Sequence, residues 1–574
     1  MTATHIIGKD AALEDSIDSM QGKLKKLGFN IIEKSWLNPI ANVWSVHIGD
    51  ADAPMCFTNG KGASEKAALA SALGEYFERL SCNYFFADFY LGEDIAKADF
   101  VHYPNEKWFA ADADITSVLD KDTLKFYNPE NELKMTHLID TNSGNSERGV
   151  CCVPYTRVSD NQDIYFPINL IGNLYVSNGM SAGNTKYEAR VQSLSELFER
   201  SIKFKIIAEG SCLPDVPENV LNRYPAIQAG IQELRDNGYG VLIKDASLGG
   251  KYPVMCVTLL NPHDQTCYAS FGAHPCFEVA LERSLTELLQ GRGLNQLDGF
   301  SEPGFDLEDI GGVYNLETHF IDSSGMIHWN YLSSVADYEF VDWDFKGNTE
   351  QEFKHLCELF HADGKQIYIA DYEHLGVYGC RIIIPSVSEI YPPDDLIWDN
   401  NNSGIKLRQT ILNLPSLNNQ AMTTLFKQLD AQAFDEGLPV CAMLGIIADA
   451  GSHWADLRVG ELKLLLALAL KDSDTVLDMC EWIKHFGQTD DKRKVVYHCV
   501  AQLLQLDNID NFHDSLLALY SKNILTQAQQ LVQGENVFAT LGSPGLQLQG
   551  FKAHQSLLAA YAKLQRAKQI VQVF

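Results

Sequence analysis

Three stretches of this chain repeat one polar pattern, and no fold that ignores the repeat can accommodate it. The first reads Ser71-Ala-Leu-Gly-Glu75-Tyr-Phe-Glu78-Arg79, the second Gln192-Ser-Leu-Ser-Glu196-Leu-Phe-Glu199-Arg200, and the third Arg283-Ser-Leu-Thr-Glu287-Leu-Leu-Gln290-Gly291. Asn59-Gly60 precedes the first and Asn178-Gly179 the second. Average residue frequencies give about 0.1 occurrences of E-x-x-E-R in a chain of this length; here there are two, with a third segment in register. Duplicated structure follows. At about 100° per residue, positions i, i+4 and i+7 share one helical face. On the first helix that face carries Ser71, Glu75 and Glu78, while Leu69, Leu73, Tyr76 and Leu80 lie opposite, ready to bury against a sheet. The second aligns Glu188, Gln192, Glu196, Glu199 and Lys203, and the third Arg283, Glu287 and Gln290.

A solvated charged face explains one such helix. Three matching helices point instead to convergence on one cavity, where Glu75, Glu78, Glu196, Glu199 and Glu287 would meet. Five carboxylates cannot share a pocket ionised without cations, because repulsion drives some of their pKa values up. All-oxygen donors select hard ions, Mg²⁺ before zinc or copper. Magnesium held by few protein groups accompanies a polyphosphate, which also accounts for Arg200, Arg283 and Lys9. The loop Asn178-Gly-Met-Ser181-Ala-Gly183-Asn184 leads into the second helix, and its amides with the helix N-terminus form a phosphate seat. Gly60-Lys61-Gly62-Ala63-Ser64 has the wrong spacing for a Walker A loop. The composite expectation is an ATP and Mg²⁺ site without a P-loop. One rival occupies the same loop: Gly179-Met-Ser181-Ala-Gly183 matches the G-x-S-x-G nucleophile elbow of serine hydrolases. That reading leaves the triplicated carboxylates unexplained, and no HGGG-type motif accompanies it.

Up to about residue 400, strand-like runs alternate with helix-like ones. Val43–Ile48, Met55–Thr58 and Ile164–Val176 read as strands, and Val254–Leu260 with Cys267–Ala273 as a hairpin. Short turns between neighbouring strands favour antiparallel pairing, hence an α+β fold. A breaker-rich stretch around Tyr391–Asp395 and 399–404 reads as a boundary between residues 1–400, the ATP-binding domain, and 405–574. The latter is rich in Leu and Ala at helical spacing and reads as an all-helical, tetratricopeptide-like domain suited to homodimer formation. Forty-five Lys and Arg against 75 Asp and Glu leave a net charge of −30, which argues against direct nucleic-acid or anionic-membrane binding. The most apolar stretch, Leu462–Leu470, is interrupted by Lys463 and too short to span a bilayer. No secretory signal opens the chain. Thirteen cysteines without a C-x-x-C pair read as reduced, mostly buried thiols in a cytoplasmic protein.

Several longer strings carry a resemblance: Gly8-Lys9-Asp-Ala-Ala-Leu-Glu-Asp-Ser16, Asn59-Gly-Lys-Gly-Ala63, Ala72-Leu-Gly-Glu75-Tyr-Phe-Glu78-Arg79, Gly172-Asn-Leu-Tyr-Val-Ser-Asn-Gly-Met-Ser-Ala-Gly-Asn184 and Thr286-Glu-Leu-Leu-Gln-Gly-Arg292. With them the chain resembles the YcaO family over nearly its full length, the helical region more loosely through His554-Gln-Ser-Leu-Leu558 and Lys563-Leu-Gln-Arg-Ala-Lys568. The resemblance implies a YcaO-type ATP-binding fold and ATP-dependent activation of an amide by phosphorylation of its oxygen. It implies Glu75, Glu78, Glu196 and Glu199 as Mg²⁺ ligands, with Glu287 joining them. It also implies Lys9, Ser16, Ser181, Asn184, Arg200, Arg283 and Gln290 as ATP contacts. Azoline-forming members often finish in a proline-rich tail, whereas this chain ends Gln569-Ile-Val-Gln-Val-Phe574, so cyclodehydration of a natural-product precursor is not expected. One member is implicated as an accessory factor in β-methylthiolation of an aspartate of ribosomal protein S12, beside a radical methylthiotransferase. The resemblance implies those two proteins as partners. Without clustered cysteines for an iron–sulfur centre, the chain cannot perform the radical step itself.

Overall fold

The computed structural model of the protein describes residues 3–140, 144, 146–398, 400, 404–486 and 489–571. Its strands, in chain order, are β1 (Ile31–Ile40), β2 (Val43–Asp50), β3 (Phe57–Gly62), β4 (Lys107–Phe109), β5 (Val150–Arg157), β6 (Asp163–Pro167), β7 (Met180–Gly183), β8 (Gly240–Asp245), β9 (Val254–Asn261), β10 (Thr266–Ala273), β11 (Tyr368–Tyr372) and β12 (Tyr378–Ile383). They form two three-stranded sheets, β1-β2-β3 and β10-β9-β8, and a six-stranded sheet ordered β4-β5-β11-β12-β7 with β6 beside β5. Every pairing between these strands is antiparallel. The architecture is α+β with a helical C-terminal region.

Each sheet delivers an edge strand directly into one helix of the repeat: β3 into Glu65–Ser81, β7 into Lys186–Glu209 and β10 into Phe277–Leu288. The first two begin alike, with the hydroxyls of Ser64 and Thr185 accepting from the backbone N–H groups of Ala67 and Glu188, the usual way a free helix N-terminus is satisfied. The three units align in sequence at constant spacing. Residues of the first recur 121 positions later in the second (Ser64 and Thr185, Glu75 and Glu196), and those of the second 91 positions later in the third (Thr185 and Cys276, Glu196 and Glu287). Under this register Gly60 corresponds to Ser181 and Gly272, so the pairing of Asn59-Gly60 with Asn178-Gly179 is displaced by two residues. A Cβ on Gly60 would lie 2.1 Å from the Ala68 carbonyl oxygen, and one on Gly272 2.6 Å from that of Ala280. Only a bare backbone allows strand and helix to approach so closely.

Ile168–Tyr175, expected to continue a strand, is a helix instead. Six of its eight residues are buried, and a short run this apolar carries no period by which to distinguish the two conformations. In the C-terminal region the successive helices Asn419–Ala431, Val459–Leu470, Ser473–His485, Asp491–Gln505 and His513–Val532 pack around one core containing Leu425, Leu465, Val500 and Leu525. The helical region expected over 405–574 nevertheless divides. Lys552–Val571 leaves that core, and Leu557, Tyr561 and Leu564 pack with Leu24, Tyr76, Phe77 and Phe86 of the N-terminal half. The Tyr561 hydroxyl donates to the Val101 carbonyl oxygen, and His554 and Tyr90 join the two halves through a 2.7 Å contact between imidazole Nε2 and a carbonyl oxygen. The boundary stretch 399–404 lies outside the described residues except for Asn400 and Gly404, as do residues 572–574. All thirteen cysteines are free thiols, twelve of them buried. Among the described residues no helix is long and apolar enough to cross a membrane.

Candidate functional site

The three helices present their matching faces to one another. Arg283 on the third donates from Nη2 to Gln192 Oε1 on the second, its own counterpart in the repeat, and from Nη1 to the Ala273 carbonyl oxygen at 2.9 Å. Strand β3 closes the ring. Lys61 forms an ion pair with Glu287 and donates to Gln290 Oε1 at 3.0 Å, while Gln290 Nε2 donates to the Asn59 carbonyl oxygen at 2.6 Å. Glu75, Glu196 and Glu199 all act on the charge of Lys61. The repeat thus brings carboxylates from two helices, a lysine from a strand and an arginine from the third helix to one place.

Each carboxylate there is offset by a base. Glu75 Oε1 lies 3.0 Å from Arg79 Nη2, Glu78 Oε1 3.5 Å from Arg79 Nη1, and Glu196 Oε1 2.8 Å from Arg200 Nη1. The Gly179 amide also donates to Glu196, and Arg200 to Asn178 Oδ1 at 2.9 Å. Burial pushes the Glu78 carboxyl well above the usual range; Arg79 opposes this, and Glu196 and Glu75 add to it. Burial likewise raises Glu199, with Lys61 and Arg200 opposing and Glu196 adding. Lys203, one turn on, is lowered to about 8 by burial although Glu199 favours its charged form; its ammonium donates to the His319 carbonyl oxygen and to Ser323 Oγ.

A second group of side chains collects at the N-terminus of the second helix. Lys9 Nζ lies 3.4 Å from Glu188 Oε1, the Asp10 amide donates to Glu188 Oε2 at 2.9 Å, and Asn184 Nδ2 donates to the same carboxylate. Ser16 Oγ donates to Asn184 Oδ1 at 2.9 Å. Glu188 is 3% exposed; burial raises its pKa, but Lys9 and the amide donors outweigh that and hold it low. His274 and Glu352 adjoin, with imidazole Nε2 3.9 Å from carboxylate Oε2. Burial pushes Glu352 up to about 7, with Arg283 opposing and Asp10 adding, and its Oε2 has no hydrogen-bond partner. Arg283 and Lys9 both act on His274, so the two groups adjoin across Arg283.

Of the residues singled out from sequence, Lys9, Ser16 and Asn184 meet at the helix start, and Glu75, Glu78, Glu196, Glu199, Arg200, Arg283 and Gln290 converge. Glu287 faces the same centre but is committed to Lys61. Ser181 is not on the site surface. Its place in the repeat is that of Gly60 and Gly272, at the strand–helix contact, where its fully buried hydroxyl donates to the Ala189 carbonyl oxygen and touches Cys380 Sγ at 3.3 Å. A hydroxyl so placed can serve neither as a nucleotide contact nor as a hydrolase nucleophile. Lys61 was missed because its Gly-Lys-Gly setting resembled only a failed P-loop. Glu352 and His274 carry no local signal at all. Among the described residues no three His, Cys, Asp or Glu side chains are grouped closely enough to hold a metal as they stand. The donor set still fits a hard cation. It is all oxygen, and it includes two carboxyls, those of Glu78 and Glu199, whose ionisation the protein alone disfavours and a divalent ion would restore.

Fold and site together define a protein without a P-loop in which a triplicated strand–helix unit brings acidic and basic side chains to one centre. The chain belongs to the YcaO family: residues 59–388 match the family model described as YcaO cyclodehydratase, ATP- and Mg²⁺-binding, and residues 404–570 match the YcaO cyclodehydratase C-terminal domain. ATP and Mg²⁺ are accordingly its cofactors. An Escherichia coli protein named ribosomal protein S12 methylthiotransferase accessory factor YcaO is 54% identical over 580 residues, 99% of each chain. An uncharacterized Haemophilus influenzae protein is 53% identical over 579 residues, 98% of each. Among solved structures, a heterocyclase in complex with substrate and cofactor is similar at 16% identity and a TM-score of 0.46, covering 67% of this chain and 55% of its own. YcaO from Methanopyrus kandleri, bound with AMPPCP and Mg²⁺, is similar at 16% identity and 0.39, covering 67% and 95%.

Proposed function

We propose that the protein uses ATP to activate an amide or related carbonyl by phosphorylating its oxygen, and that it does so as an accessory factor in β-methylthiolation of ribosomal protein S12. The observation that carries the reading is the convergence of Glu75, Glu78, Glu196 and Glu199 around Lys61 and Arg283. An amide carbonyl is a poor electrophile because nitrogen donates into it; transfer of a phosphoryl group to its oxygen makes that oxygen a leaving group. The four carboxylates would hold Mg²⁺, whose charge would neutralise the phosphates and the charge developing in phosphoryl transfer. Lys61, paired with Glu287, and Arg283, which donates to Gln192 and the Ala273 carbonyl, stand beside those carboxylates and would supply positive charge toward phosphate oxygens. Lys9, held on Glu188, extends the basic lining toward the second helix start, whose free amides favour an anion. Glu352, raised to about 7 by burial and with its Oε2 lacking a hydrogen-bond partner, can hold or release a proton beside Arg283.

The 54% identity to the Escherichia coli accessory factor supports the assignment of partners, ribosomal protein S12 and its methylthiotransferase. The test is ATP consumption with Mg²⁺, measured with and without those two proteins. Stimulated turnover is expected. ATP binding without any stimulation would leave a non-catalytic, partner-docking protein and defeat the enzymatic reading.

A further inference from the structure

Beyond the end of the first site helix lies a cavity of about 470 Å³, within the range of small-molecule sites. Cys82 and Tyr84, four and six residues after Glu78, line its near side. The Arg79 guanidinium, which holds Glu75 and Glu78, lies 4.5 Å over the Tyr84 ring. The cavity therefore adjoins the carboxylate cluster while sharing none of its acidic ligands.

Arg381, which is 6% exposed, lines the same cavity. A buried guanidinium is ordinarily paired with a carboxylate, because an uncompensated charge is costly to remove from water. Here Nη2 donates to the Val176 carbonyl oxygen at 2.7 Å, Nε has no hydrogen-bond partner, and among the described residues no carboxylate lies within ion-pair distance. The acidic groups its charge reaches are the Cys82 thiol and the Tyr155 phenol, and burial keeps both neutral. Asn169, 4% exposed, also lines the cavity and has an Oδ1 without a partner. The remaining wall mixes aromatic rings, Tyr103 and Tyr372 among them stacked at 4.8 Å and 14°, with Asp88, Asp140 and Asp395. Asp140 is paired with His102 at 2.6 Å, and burial raises Asp88 toward its neutral form.

The geometry points to a binding site for a small organic carboxylate, its anionic end neutralising Arg381 and its body lying against the tyrosines. The inference deepens the proposed function and rests on it for the ligand's role as the acceptor brought beside the ATP site. Binding itself requires no nucleotide. The carboxylate could belong to a free acid or to an acidic side chain of a peptide, and the two are distinguishable.

Isothermal titration and saturation-transfer NMR on the full chain, without nucleotide, would use benzoate for a free acid and a capped aspartyl residue for a peptide-borne one. Benzamide and the capped asparaginyl residue serve as neutral isosteres. At least one acid should bind about tenfold or more tightly than its isostere, and Arg381→Met, which keeps the volume, should erase that preference while leaving Mg²⁺·ATP binding within about twofold. Benzoate or the capped aspartate as the preferred probe identifies the source. Equal affinity of acids and isosteres, or no binding of either acid at roughly 10 mM, would overturn the inference, and the wild-type comparison decides it even if the variant does not fold. Loss of ATP binding in the wild-type protein would instead fault the proposed function.

Discussion

Replacing Lys61 by Met removes the one strand-borne cation from the carboxylate cluster at nearly constant volume. The ammonium is paired with Glu287, donates to Gln290 at 3.0 Å, and is flanked by Glu199, Glu75 and Glu196. Unit charges about 4 Å apart attract by roughly 4 kcal/mol at the effective dielectric of a protein site. Against this stands the cost of drawing the ammonium out of water, which lowers its pKa. Lys61 and Glu287 retain 28% and 31% of their side-chain exposure, so water screens part of the attraction and the net loss is roughly 2–3 kcal/mol. Spread over the entropy of unfolding of a large domain, that corresponds to a melting point lower by about 2–4 °C. The variant exposes the remaining carboxylates to one another, so Mg²⁺ without nucleotide should raise its melting point more than it raises that of the wild type. Differential scanning calorimetry at one fixed scan rate, first in chelator and then in Mg²⁺, measures both quantities. A drop smaller than about 1 °C together with an unchanged Mg²⁺ response would refute the view that Lys61 stands in for a cation.

Glu75→Gln and Glu199→Gln each keep the shape and remove an anionic donor, so Mg²⁺-dependent ATP affinity should fall about tenfold or more, costing about 1.4 kcal/mol, with no loss of stability in metal-free protein; titration calorimetry with and without Mg²⁺ checks both. Glu352 is raised from 4.5 to about 7, so the folded state holds its proton more tightly than the unfolded one. Its contribution is most favourable below about pH 4.5 and is lost as pH rises through 7. Denaturant melts of Glu352→Gln should therefore match wild type near pH 4.5 and exceed it by roughly 3 kcal/mol above pH 7.5; a pH-independent difference would show that this carboxyl is not shifted. Tyr561→Ala, at a fully buried ring 4.8 Å from that of Phe86, should cost about 3–5 kcal/mol and weaken ATP binding, because the last helix shares a core with the first site helix. Unaltered ATP affinity in that variant would mean that the C-terminal region folds apart. Light scattering should give the mass of a homodimer for the full chain, and a monomer would end that expectation.

The triplicated pattern was legible because helical spacing is a local property: Glu75 and Glu78 share a face whatever surrounds them, and Ser64 and Thr185 cap their helices through bonds three residues long. Antiparallel hairpins such as β9–β10 follow in the same way from short turns between apolar runs. By itself, then, the sequence determined the repeated unit, its acidic faces, the α+β class and the separate texture of the helical C-terminal region. Tertiary structure decided everything that depends on distant segments meeting. It made Ser181 a packing residue by placing it where the other units have glycine, turned Glu287 toward Lys61, and set Glu352 beside an arginine on another helix. It also returned Lys552–Val571 to the N-terminal core. No local signal encodes these outcomes, because burial and Coulomb interaction depend on separation in space, and the chain that sets those separations closes on itself only once the sheets and helices pack.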